Sequence, residues 1–219
     1  MKFDQMTERY PGYNVLNKRK SPSWNDRSRE VIDARLAIDA EFHRFCDEAE
    51  WRALCAVCDQ IIPPPSHHAM APIAAMIDQK LYSRKGDGYR DARLPEQGQA
   101  WRIGLAAIDA EAVVHGGKPF CELAAEQQRQ MLHNIQRGIV ASPAWEGLSP
   151  QLFFKKRLLH DIVTAYYAHP ASWNAIGFGG PASPRGYVRM NFDRRDPWEA
   201  AEARPGHEEE ARRENEHVG

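Results

Sequence analysis

Asp47-Glu48-Ala49-Glu50-Trp51-Arg52-Ala53-Leu54-Cys55-Ala56-Val57-Cys58-Asp59-Gln60-Ile61-Ile62-Pro63-Pro64-Pro65 sets the fold class. Asp47 and Glu50 stand three apart, as the acidic version of a capping box requires. Trp51, Leu54, Cys55, Cys58, Ile61 and Ile62 then mark one apolar stripe at helical period. The prolines end the run, because proline has no N–H to donate and disfavours helix in the residue before it.

The same grammar recurs on both sides. Asn25 or Asp26 can cap a helix carrying Val31, Ile32 and Leu36. Pro72 opens a short helix with Ile73, Met76, Ile77 and Leu81, and Gly86-Asp87-Gly88 reads as a loop. Pro95 suits the first turn of a long helix with Trp101, Leu105, Ile108 and Ala112 on one face, ending at Gly116-Gly117. A further helix starts near Ala124, carries Met131, Leu132 and Ile135, and stops at Gly138. Ser149-Pro150 opens the most apolar helix, which runs to His169-Pro170. No run alternates with period two. The expected fold is all-α, an irregular bundle of about five or six helices with extended N- and C-terminal arms.

The chain has 219 residues, 42% of them hydrophobic, and a net charge of −1, so there is no electrostatic footprint for nucleic acid. No apolar run approaches the ~18 residues of a spanning helix, so no direct membrane insertion is expected. The stretch Met1 to Tyr13 shows neither an apolar signal core nor a twin-arginine pair. The expectation is a cytoplasmic chain, or one exported to the periplasm with a signal-bearing partner.

The expected organisation is an extended arm over 1–24, a helical domain over 25–170, an aromatic, Gly/Pro-rich arm over 171–198 and a solvated, flexible charged tail over 199–219. The two arms make up about a quarter of the chain, yet they hold nine of its 21 aromatic residues. Disordered segments are poor in aromatics, so these rings must be buried somewhere. They either complete the chain's own core or lie on another protein. Aromatics with arginines are enriched at interface centres, which favours the second. The expected anchors are Tyr13, Trp24, Trp173, Asn174, Phe178, Arg185 and Tyr187.

Other constellations compete for a chemical role. Cys55 and Cys58 form a CxxC that could hold metal or act as a redox dithiol, with His67 and His68 as further ligands. Their place mid-helix on the apolar stripe favours packing. His160 and His169, with Asp161, offer acid–base groups, but His160 and Asp161 are adjacent and point to different faces. Gly177-Phe178-Gly179-Gly180-Pro181 lacks the strand and helix of a dinucleotide fingerprint. No catalytic, cofactor-binding or firm metal residue emerges.

Several stretches carry a resemblance: Arg9-Tyr10-Pro11-Gly12-Tyr13-Asn14-Val15-Leu16, then Ser21-Pro22-Ser23-Trp24-Asn25; Cys58-Asp59-Gln60-Ile61-Ile62-Pro63; Gly104-Leu105-Ala106-Ala107-Ile108-Asp109-Ala110 with Gly117-Lys118-Pro119-Phe120 and Leu123; and Tyr166-Tyr167-Ala168-His169-Pro170 with Trp173-Asn174-Ala175-Ile176-Gly177-Phe178-Gly179-Gly180-Pro181. In order and spacing they resemble the gluconate 2-dehydrogenase subunit 3 family, the small or gamma subunits. The resemblance implies a chaperone-like, non-catalytic companion, in a heterodimer, of a large FAD-dependent dehydrogenase of the glucose–methanol–choline type. That partner oxidises a sugar, sugar acid or polyol, and a cytochrome c subunit with haem c often completes the complex. The cofactor would be FAD in the partner and none in this chain. The alternative is a small metal-binding or thiol redox protein using Cys55 and Cys58.

Overall fold

A computed structural model describes residues 8–64, 70–88, 91–184, 186 and 198–218. Among them the helices run, in chain order, α1 Asp26–Leu36, α2 Glu48–Ile61, α3 Ile73–Tyr82, α4 Gln97–Gly116, α5 Ala125–Arg137, α6 Pro150–Phe153, α7 Leu159–Ala168, α8 Pro170–Ile176 and α9 Glu208–Glu216. No strand occurs among the described residues, only a single parallel bridge between Trp24 and Ser183. The fold is all-α. The chain divides into two compact units, one made of 38–64 and 72–166, the other of 1–37, 65–71 and 167–219.

The middle unit is built as the spacing predicts. The capping box of α2 is complete: Asp47 accepts from the Glu50 N–H at 2.9 Å and Glu50 accepts from the Asp47 N–H at 3.0 Å. Helix α4 starts one residue after Glu96, so Pro95 precedes the helix instead of sitting in its first turn. Its Trp101, Leu105, Ile108 and Ala112 are buried as expected. Gly104 on the same face leaves room for the ring of Phe153, whose Cζ would stand 2.1 Å from a Cβ there. Trp101 meets Phe153 edge-on with centroids 5.6 Å apart. Two buried carboxylates bind backbone where no helix can. Asp78 accepts from the N–H groups of Arg44, Phe45 and Cys46 at 2.7, 3.0 and 2.8 Å. Glu111 accepts from Ala141 and Ser142, both at 2.8 Å.

The helix expected from Ser149 to His169 is not uniform. Between α6 and α7 the segment Phe154–Leu158 winds as a π turn. Such insertions widen the helix locally and often mark functional positions.

The other unit corrects the picture of free arms. Its core is Tyr13, Val15, Trp24, Ile32, Trp173, Ala200 and Val218, drawn from both ends of the chain. The first arm contains a 3₁₀ turn, Val15–Lys20, and α1 belongs with it instead of with the central helices. The second arm starts as helix α8, with His169 as N-cap and Pro170 at its first position. The tail, expected to be solvated and flexible, forms α9, with Ala211, Asn215 and Val218 buried. Asn215 donates to the carbonyls of Pro11 and Ala201, both at 2.9 Å, and accepts from the Ala201 N–H at 2.6 Å. Lys18, fully buried, donates to the carbonyls of Gly179 and Trp198. Gly180 has φ +67, and a Cβ there would stand 2.8 Å from Val15 Cγ2, so the motif around it is shaped to admit the first arm.

Candidate functional site

A polar cluster of side chains in the middle unit gathers on the buried carboxylate of Asp161. It accepts from Trp101 Nε1 at 2.8 Å, from Gln97 Nε2 at 3.1 Å and from Lys80 Nζ at 3.3 Å. Lys80 also donates to Asp87 Oδ1 at 2.6 Å. Arg157, from the π turn, lies 3.4 Å from Asp87 Oδ2, and His160 Nε2 lies 3.9 Å from the same oxygen. Partial burial pushes the Asp87 carboxyl up, but the Lys80 hydrogen bond and charge, with His160 and Arg157, outweigh it and hold it below its ordinary value.

Asp87, His160 and Asp161 bring potential ligand atoms within 4.8 Å of one another. The Lys80 ammonium already bridges the two carboxylates, where a metal cation would have to compete with it. The cluster therefore fits an internal ion-pair network better than a metal centre. Asp161 is buried and the His160 side chain is 53% exposed, so the two adjacent residues do face differently, as their spacing implies. The structure still brings both beside Asp87, a residue read from sequence only as part of a loop.

This network borders a cleft of about 830 Å³. Five cationic side chains line it, Arg44, Lys80, Arg84, Arg102 and Arg157, against two anionic ones, Asp87 and Glu96. Arg44 lies over the rings of Phe42 and Tyr82, 4.9 and 5.3 Å from their centroids. Both rings are 53% exposed. Arg102 lies 4.2 Å over the Phe45 ring and pairs with Glu50 at 2.6 Å. A smaller groove of about 390 Å³ includes Glu111, His115, Leu123 and Met131.

The sequence-predicted anchors fare differently. Tyr13, Trp24 and Trp173 are 4%, 1% and 5% exposed. Their rings are spent on the chain's own core and offer no face to a partner. Asn174 is half-buried and its side-chain oxygen accepts from the Val15 N–H at 2.8 Å. Phe178 alone among the described anchors shows its ring, at 40% exposure, standing edge-on to Trp173. Arg185 and Tyr187 lie outside the described residues, as do His67 and His68. Burial pushes the Cys55 thiol up to about 12 and the Cys58 thiol well above its ordinary value, the reverse of what a reactive dithiol needs. Neither cysteine joins a group of three potential metal ligands among the described residues. His169 serves as a helix cap: its Nδ1 accepts from the Ala171 N–H at 3.2 Å.

Lys80, Asp87, Arg157, Arg44 and Tyr82 were not singled out from the sequence. Arg157 carried the one usable signal, a cation inside the most apolar helix pattern of the chain.

Fold and site together describe a helical protein whose exposed chemistry is a cation-lined, aromatic-rimmed cleft. The chain belongs to the gluconate 2-dehydrogenase subunit 3 family, whose model it matches over residues 48–180. By family it is a small subunit of a dehydrogenase complex. No curated protein and no solved structure matches it. Among the described residues no helix is long and apolar enough to cross a membrane.

Proposed function

We propose that the chain is a non-catalytic subunit that stabilises the FAD-containing catalytic subunit of a sugar, sugar-acid or polyol dehydrogenase. The family match carries this reading. The surface of the middle unit supports it. Phe42, Arg44 and Tyr82 form an exposed aromatic–arginine cluster, the composition that dominates binding energy at protein interfaces. FAD and any haem belong to the partner subunits.

The role differs from the one the arms first suggested. The ends form a core of their own, in which the described rings of Tyr13, Trp24 and Trp173 close on each other. They build a separate folded unit, and the middle unit carries the exposed recognition chemistry.

Co-expression tests the proposal. The catalytic subunit expressed with this chain should be soluble, yellow and active, and expressed alone it should aggregate or lose flavin. Equal yields of active flavoenzyme with and without the chain would reject the stabilising role. Sugar oxidation by the purified chain alone would reject its non-catalytic character.

A further inference from the structure

The geometry points to the cleft of the middle unit as the seat of an acidic segment of the catalytic subunit, a stretch with carboxylates for the cleft and an aromatic or aliphatic side chain for its rim. The inference rests on the companion role proposed above and adds which face binds and what chemistry it recognises.

Charge is the first argument. Of the five lining cations, Lys80 and Arg157 engage Asp87, and Arg102 engages Glu50. Arg44 and Arg84 have no carboxylate partner among the described residues, and both are exposed. Five cations line the cleft against Asp87 and Glu96, so its lining keeps an excess of positive charge in a concave place, where low-dielectric walls focus the field. Arg84 adds a second sign of specialisation. It has φ +53, a left-handed conformation that non-glycine residues rarely take.

The second argument is a buried donor without an acceptor. The Arg157 side chain is 5% exposed, and its Nε is fully buried with no hydrogen-bond partner. A buried guanidinium N–H left unpaired is costly, because it has given up water for no acceptor. Arg157 lines the cleft, and its planar fork suits a carboxylate that enters there. Nε itself has no accessible surface, so a carboxylate meets it only when the cleft wall shifts as the segment seats.

The third argument is the rim. Tyr82 lines the cleft and Phe42 stands outside its lining, both against the Arg44 guanidinium, and each leaves about half of its surface in water. A small inorganic anion would fill the cationic floor and leave these rings wet. A peptide with both carboxylates and an apolar side chain uses floor and rim together, so the acidic peptide is the better fit.

The probe is a fluorescein-labelled peptide, Glu-Glu-Phe-Glu-Glu-Phe, followed by anisotropy with the full chain at low salt. The wild-type chain should bind it, and Arg44→Glu and Arg84→Glu should each weaken binding at least tenfold. Arg129→Glu, the same charge change on α5 of the same unit, should leave it within twofold. Arg157→Lys, which keeps the charge and loses the fork, should weaken binding severalfold with an unchanged far-UV spectrum. Equal binding by wild type and both cleft variants would overturn the inference. So would full displacement of the peptide by inorganic phosphate at equal concentration, which would make the cleft a small-anion site.

Co-purification separates this inference from the companion role. A flavoprotein that co-purifies equally with wild type and with the Arg44→Glu/Arg84→Glu chain overturns the cleft and leaves the role standing. Peptide binding that depends on the cleft, with no flavoprotein retained by the wild-type chain, overturns the role and leaves the cleft.

Discussion

Asn174 holds the backbone N–H of Val15 on its side-chain oxygen at 2.8 Å, across 159 positions of sequence. Val15 is fully buried, so in the folded chain its N–H depends on that acceptor. One amide near the end of α8 thus fixes the start of the 3₁₀ turn in the first arm.

Asn174→Ala should therefore cost about 1–3 kcal/mol, the price of a buried donor left unmet. A thermal melt of the full chain should show a fall of several degrees. Asn174→Asp keeps an acceptor and should cost less. A melt of Asn174→Ala indistinguishable from wild type would mean that the contact carries no stability.

Gly104→Ala offers a test of sign. In an exposed helix interior the change should stabilise by about 1 kcal/mol. Here the new Cβ would meet the ring of Phe153, itself fully buried and held by Trp101 and Trp145. Overpacking should win, with a net loss of about 1–3 kcal/mol in urea unfolding. Adding Phe153→Leu should recover part of it, because the clash is with the ring.

Asp161→Asn should destabilise the middle unit by about 2 kcal/mol, in the range for hydrogen bonds to charged groups. It removes the charge facing Lys80 and changes the acceptor for Trp101 Nε1. Trp101 fluorescence during denaturation would report it. Asp87→Asn should cost less, since the Asp87 side chain is 31% exposed and Lys80 keeps its bond to Asp161.

His169 gives a pH dependence. Burial pushes its imidazole pKa below the ordinary value. Protonating Nδ1 would also replace the acceptor that caps α8 with a donor. The folded pKa is lower than the unfolded one, so the unfolded chain binds the proton more readily. The stability from His169 is complete above the unfolded pKa, near 6.5, and is lost as pH falls from there through the folded value. The difference in stability between wild type and His169→Asn should shrink or reverse across that window. A constant difference from pH 7.5 to pH 5 would show that His169 does not titrate in this way.

The helices of the middle unit were legible because each carries its own start, stripe and stop. Asp47 and Glu50 announce α2, Gly117 and Gly138 end α4 and α5 in left-handed conformations, and the buried faces follow the 3.6 period. The tail misled for a physical reason. Glu208-Glu209-Glu210 and Arg212-Arg213 look solvated, and only Ala211, Asn215 and Val218 turn inward. Three small or short side chains make a faint stripe. The anchors misled differently: the aromatic excess of the arms correctly required burial, but composition cannot say whose surface buries them.

The sequence by itself determined the helical class, the existence of the middle unit's main helices and the family, because these depend on capping, period and local order within a few turns. Only the tertiary structure decided that Tyr13, Trp24 and Trp173 share one core, that Lys80 joins Asp87 to Asp161, and that Arg44 and Arg84 line a common cleft with Arg157. Those are meetings between residues far apart along the chain. No local pattern encodes such a meeting, because it is set by how whole helices pack and which polar groups that packing leaves without water.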